Sequence, residues 1–161
     1  MNIQIRPFNA TDIDFIESLI PRFSEFELPH WRTKTEIDSI NLKSLQEAMK
    51  TPDRNPAIFI AVDENENRAG FIHLQLQADY FNAKKAAYIS DIAVDSKFEG
   101  RGVGRILLDK AREWANEQEC SLISLYVFAN NMRARKIYEK LGFKEEVIKY
   151  VLSNEKTAEG L

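Results

Sequence analysis

The chain of 161 residues contains one cysteine, Cys120, so an internal disulfide is excluded and the thiol is read as a small packed residue at the end of a helix. No apolar run reaches the ~18 residues that a membrane span requires. The opening Met1-Asn2-Ile3-Gln4-Ile5-Arg6 lacks the apolar stretch of a secretory signal. These two absences lead to an expectation of a cytoplasmic protein with no membrane partner. Basic charge is not in excess: 22 Lys and Arg stand against 25 Asp and Glu, for a net charge of −3. A chain this acidic lacks the footprint of a nucleic-acid binder. There is no HExxH, CxxC or carboxylate cluster at metal-ligand spacing, so no metal is expected. Glycine is scarce, yet three of the six glycines, Gly100, Gly102 and Gly104, fall within five residues.

With 44% hydrophobic residues the chain can bury one conventional core. We expect a single domain over residues 1–153, followed by a polar tail over 154–161. Periodicity predicts strands over 2–7, 57–62, 69–78, 86–95, 122–128 and 144–152. Helices are predicted after an N-cap at Thr11-Asp12, over 36–50 up to Thr51-Pro52, over 103–118, and over a short segment from about Asn131 to Gly142. Leu107, Ala111, Trp114 and Ala115 form a core-facing stripe, which assigns Trp114 to packing. A run of strands followed by strand-helix-strand-helix-strand implies a mixed sheet with helices on both faces.

The segment Phe98-Glu99-Gly100-Arg101-Gly102-Val103-Gly104-Arg105 joins a strand to a helix. Alternate glycines at a helix N-terminus expose consecutive backbone N–H groups, which together with the helix dipole suit a pyrophosphate. The structural alternative is a tight connection that merely needs φ > 0. No Gly-Lys-Ser/Thr closes the loop, and the G-x-G-x-G spacing fits a dinucleotide fingerprint poorly.

Further on, Asn131, Ala134, Tyr138, Gly142 and Phe143 complete a pattern Asn-x-x-Ala-x-x-x-Tyr-x-x-x-Gly-Phe. Paired with Glu99-Gly100-Arg101-Gly102-Val103-Gly104, it resembles the GCN5-related N-acetyltransferase (GNAT) family. That family's cofactor motif runs Gln/Arg-x-x-Gly-x-Gly/Ala. The departure is Glu99, where the family has Gln or Arg. A carboxylate beside phosphates is unfavourable unless it faces solvent, and Arg101 and Arg105 are the expected offsets.

The resemblance implies an α/β fold with a mixed, mostly antiparallel sheet, and transfer of acetyl from acetyl-CoA directly to a primary amine of a small molecule, peptide or protein. It implies that Glu99, Gly100, Arg101, Gly102, Val103, Gly104 and Arg105 hold the pyrophosphate. Main-chain groups of Ile92, Ala93 and Val94 would pair with the pantetheine arm, provided the next strand splays away there. Asn131 would also hold the pantetheine, and Tyr138 would protonate the leaving thiolate while lying against the cofactor. Asp91 is the candidate base, with a water chain ending on Glu25, Glu27 or His30 as the alternative. Glu25, Glu27, His30 and Trp31 are the candidate acceptor-binding residues, since carboxylates beside aromatic rings suit a cationic amine. His73, between Ile72 and Leu74, is read as structural. The other functional class left open is a coenzyme-A-binding regulatory or interaction module, and a homodimer is compatible with either.

Overall fold

The computed structural model describes residues 1–51 and 57–155; the expected helix stop at Pro52 and the tail over 156–161 lie outside the described residues. Five strands form one sheet in the order β1 (Gln4–Pro7), β2 (Ala57–Val62), β3 (Arg68–Ala78), β4 (Lys85–Val94), β5 (Ile123–Leu125). Neighbours from β1 to β4 run antiparallel, and β5 runs parallel to β4. Parallel neighbours need a crossover, and α3 (Val103–Glu117) supplies it. The other helices are α1 (Ile13–Ser18), α2 (Lys34–Lys50) and α4 (Met132–Lys140).

Each sheet face buries its own apolar set. Ala61, Ile72, Leu74, Ala87 and Ile89 pack against Val103, Leu107, Ala111 and Trp114 of α3, and Tyr138, Leu141 and Phe143 join that layer. On the opposite face Ile58, Ile60, Val62, Phe71 and Ala93 pack against Ile16 of α1 and Leu45 of α2. Helices therefore cover both faces of a mixed, mostly antiparallel sheet, as the strand alternation requires. Cys120 is buried beyond the end of α3, also as read from the sequence.

The first helix starts differently from expectation. Asn9, and not Thr11 or Asp12, caps the first turn by accepting from Thr11 N. Asp12 is fully buried, and takes both Nη groups of Arg6 at 2.8 Å and Nε of Arg68 at 2.6 Å. Its burial would raise its pKa, but these two guanidiniums and the Asn9 N–H prevail and lower it to about 2.

Two strand expectations fail. The fifth strand ends at Leu125 instead of 128, and residues 144–152 join no strand. A strand needs an open edge to pair with, and β5 offers only three residues. Glu145 is instead held by Arg135 of α4, and Val147, Ile148, Tyr150 and Leu152 are exposed.

Candidate active site

Two features of β4 set the site. The register shifts between His73 and Leu74, so that His73 faces Asp91 and Leu74 faces Ile89, leaving Ser90 as an extra residue. Then β5 leaves: it pairs only at Ala87–Ile123, Tyr88–Ser124 and Ile89–Leu125. From Ser90 to Val94 the β4 edge turned away from β3 has no strand beside it among the described residues. The splay expected at Ile92, Ala93 and Val94 is therefore present.

The glycine loop follows directly. A 3-10 turn, Ser96–Phe98, is capped by Asp95, and Glu99 then leads into Gly100 with φ +74° and Gly102 with φ +81°. Both lie in the left-handed region that glycine tolerates at no steric cost. Gly102 is the N-cap of α3 and brings no side chain to the helix end. The first helical bond is Ile106 N to Gly102 O. Among the described residues the backbone N–H groups of Gly100, Arg101, Gly102, Val103, Gly104 and Arg105 donate to no protein acceptor. Six consecutive free amides at a helix N-terminus form an anion cradle adjoining the open β4 edge.

Glu99 does not point free into solvent. Its Oε1 accepts from Arg22 Nη2 and, at 3.5 Å, from Arg133 Nη1. The hydrogen bond from Arg22 is the main reason its pKa is lowered. Arg22 and Arg133 thus take the place expected of Arg101 and Arg105. Arg101 lies over the Phe98 ring at 5.8 Å, and Arg105 is exposed.

Asp91 is 8% exposed, and His73, on the neighbouring strand, is fully buried. His73 Nδ1 stands 2.7 Å from Asp91 Oδ2. On its other side Nε2 contacts Gln75 Nε2 at 3.4 Å. An amide N–H can donate only to an unprotonated nitrogen, so this arrangement places the imidazole proton on Nδ1, directed at the carboxylate. By strand alternation His73 and Asp91 share the α1/α2 face with Phe71 and Ala93. Because Ser90 is bulged, Tyr88 and Asp91 become successive residues on that face. Burial is the main cause raising the Tyr88 pKa, and the Asp91 charge adds to it. The Tyr88 ring also meets Tyr126 edge-on at 5.8 Å.

Tyr138 lies on the α3 face, its ring against Phe143 at 5.8 Å. Burial raises its pKa, which keeps the phenol protonated. Asn131 Oδ1 accepts from Ala134 N at 3.2 Å, so its oxygen caps α4. Only its amide NH2 remains to donate to a ligand.

The proposed acceptor residues lie in the connector between the 3-10 turn Ile20–Ser24 and α2. Glu25, Glu27, His30 and Trp31 are all exposed. Glu25 is engaged by Arg22 at 3.1 Å, and His30 and Trp31 touch edge-on at 5.0 Å. Glu27 contributes its carbonyl to Asn130 Nδ2 at 3.1 Å, while Phe26 meets the Phe128 ring at 5.4 Å. The connector therefore touches the segment that follows β5. Among the described residues no hydrogen bond, ion pair or ring contact joins Glu25 or Glu27 to His30 or Trp31.

Sequence reasoning missed His73 as the partner of Asp91, and Arg22 and Arg133 as partners of Glu99. A histidine between two core residues of a strand was the one available signal for the first. The other two are 77 and 34 residues from Glu99, and nothing local announces them.

The model of the Acetyltransferase (GNAT) family matches residues 15–143. An uncharacterized N-acetyltransferase of Methanocaldococcus jannaschii is 33% identical over 93 residues, which cover 56% of this chain and 41% of that protein. An aminoglycoside N(6')-acetyltransferase of Stenotrophomonas maltophilia is 25% identical over 96 residues, 58% of this chain and 63% of its own. The chain spans less than two thirds of the length of these curated relatives. A solved chain from Pyrococcus furiosus has the same fold with a TM-score of 0.74 and 26% identity, covering 94% of this chain and 99% of that one. An aminoglycoside N-acetyltransferase solved with CoA shares the fold at a TM-score of 0.70 and 21% identity, covering 95% of each chain.

Proposed function

Because the chain belongs to the acetyltransferase (GNAT) family, we propose that it transfers acetyl from acetyl-CoA directly to a primary amine, the amine being cationic before it reacts. The observation that carries this reading is the row of free amides from Gly100 to Arg105, beside a β4 edge that β5 has left. Acetyl-CoA supplies the activated thioester; the chain supplies binding, orientation and proton transfer.

In this reading the free amides hold the pyrophosphate, assisted by the dipole of α3. The open edge from Ile92 to Val94 aligns the pantetheine arm and offers main-chain N–H to the carbonyl oxygen as charge develops on it. Asn131 donates its amide NH2 from the start of α4. The two proposed proton-transfer groups belong to opposite faces of the sheet, with Tyr138 in the α3 layer. Asp91, on the α1/α2 face, takes the proton of the incoming ammonium, directly or through a water. His73 keeps Oδ2 occupied and so fixes the carboxylate with Oδ1 available. Tyr138, on the α3 face, protonates the departing thiolate, a step for which its raised pKa keeps the proton in place.

Direct transfer agrees with the place of the one thiol: Cys120 is buried near the Gln118 carbonyl, beyond the end of α3. The acceptor is read as an amine drawn to the acidic connector of Glu25 and Glu27 and to the rings of His30 and Trp31. Aminoglycosides are acceptors by name in one relative, and polyamines and peptide amines share the same chemistry. No helix among the described residues is long and apolar enough to cross a membrane, and a cytoplasmic reaction fits a chain with a single thiol. Initial-rate kinetics with both substrates varied test the order of events. Intersecting double-reciprocal lines are expected for direct transfer, and parallel lines would show an acetyl-enzyme and overturn it.

A further inference from the structure

We propose that Glu99 is a platform that presents the guanidinium groups of Arg22 and Arg133 to the phosphates of CoA. The inference rests on the reading that residues 100–105 bind CoA, and goes beyond it in assigning two cofactor ligands that lie outside the glycine loop.

A bare carboxylate one residue before six free amides would repel a polyphosphate at close range. In the structure it is not bare. Three segments far apart in the chain converge on it: the 3-10 turn Ile20–Ser24, the start of the glycine loop, and the first turn of α4. A guanidinium has five N–H donors, and Glu99 takes one from each arginine. Arg22 gives another to Glu25 at 3.1 Å; the remaining donors of both arginines are unclaimed among the described residues.

The segment that carries Arg22 is packed and hydrogen-bonded. Phe23, next to Arg22, meets the Phe71 ring edge-on at 6.3 Å. The adjacent Ser24 is buried, donating to Asp38 Oδ1 and accepting from Lys34 Nζ, both at 2.7 Å. Arg133 stands in a helical turn whose N-cap is Asn131. The α1/α2 side of the molecule and α4 are thus both tied to the cofactor loop through one carboxylate. Planar donor forks held in place beside backbone amides match the geometry of phosphate recognition.

The proposal reverses the sign expected of a substitution. If Glu99 were only a repulsive charge, Glu99→Gln would tighten CoA binding. As a platform, its loss lets Arg22 fall back on Glu25 and releases Arg133, so binding weakens. Isothermal titration of CoA into the full chain and its variants decides between the two. Wild type is expected to bind, and Glu99→Gln, Arg22→Gln and Arg133→Gln each to bind about 10-fold more weakly. Glu99→Gln combined with Arg133→Gln should cost little more than Glu99→Gln alone, because both remove the same contact. Thermal melts check folding; should Glu99→Gln melt early, the exposed Arg133→Gln carries the comparison. Wild-type binding with Glu99→Gln as tight or tighter, or with Arg133→Gln unchanged, overturns the platform and leaves the donor reading intact. Absence of CoA binding by wild type overturns both.

Discussion

His73 Nδ1 donates to Asp91 Oδ2 at 2.7 Å beside a β-bulge, from a fully buried ring to a carboxylate that is itself buried apart from 8% of the residue. The contact occupies Oδ2 and leaves Oδ1 without a protein partner among the described residues, the oxygen that the proposed reaction would use. Asp91→Asn is therefore expected to lower kcat by roughly 10²–10⁴-fold, and most at low pH, where the amine is protonated and a base is most needed. His73→Phe removes the orienting donor; it should lower kcat less, and the double variant should be no slower than Asp91→Asn. The check is the pH–rate profile of all three. A profile unchanged by Asp91→Asn would move the base elsewhere.

Tyr138 packs in the α3 layer of the sheet, and its phenol stays protonated because burial raises its pKa. Tyr138→Phe is expected to reduce kcat by about 10²-fold or more, with KM for acetyl-CoA nearly unchanged. Equal turnover by the two forms with a good acceptor would assign the ring to packing against Phe143.

The glycines of the loop differ in what they tolerate. Gly102 has φ +81° and open space around it, so Gly102→Val fails through backbone strain, of order 1–3 kcal/mol. Gly104 has no positive φ, and a Cβ there would meet Val94 Cγ2 at 3.8 Å, an ordinary contact. Gly104→Val should therefore fold nearly as well as wild type and lose CoA affinity because its side chain stands beside the amides. Melting temperature and CoA titration together separate the two effects. Equal losses of stability would contradict the distinction.

Asp12 offers a test of the fold away from the site. Its carboxyl sits at a pKa of about 2, below the ordinary value of 3.8, so it binds its proton less readily folded than unfolded. The resulting stabilisation, about 2 kcal/mol, is fully present above pH ~4 and is lost as pH falls through the folded pKa near 2. Asp12→Asn should flatten the acid limb of a stability-versus-pH curve in that window, and should destabilise the protein at neutral pH by leaving Arg6 and Arg68 without their partner. Curves that coincide would remove the ion cluster from the energetics.

Much of this was legible in the sequence because it is local. The residues of β2 to β4 alternate or run apolar in the pattern of a buried sheet, and α3 shows its packed stripe. The alternate glycines announce the cradle, and the spacing from Asn131 to Phe143 announces α4. What escaped is non-local. The His73–Asp91 contact depends on strand register and a bulge, and the Arg22–Glu99–Arg133 cluster depends on how three segments meet in space. The segment 144–152 has strand-like composition, but composition does not provide a neighbouring edge, and β5 stops at Leu125. The motif that points to Asn131 as a ligand does not reveal that its oxygen also caps α4. Gly70 shows the same limit. Its missing Cβ lets Ala93 O approach to 2.6 Å of where that atom would stand, a need visible only once β3 and β4 are paired.

The most direct test of acetyl transfer is to incubate the protein with acetyl-CoA and a panel of polyamines, aminoglycosides, amino acids and peptides, measuring free thiol and acceptor mass in the same samples. The expected result is one acetyl group gained by an amine for each CoA released, with Tyr138→Phe and Asp91→Asn both slow on the same acceptor. Thiol release without an acetylated amine, or tight CoA binding with no turnover on any amine, would contradict it.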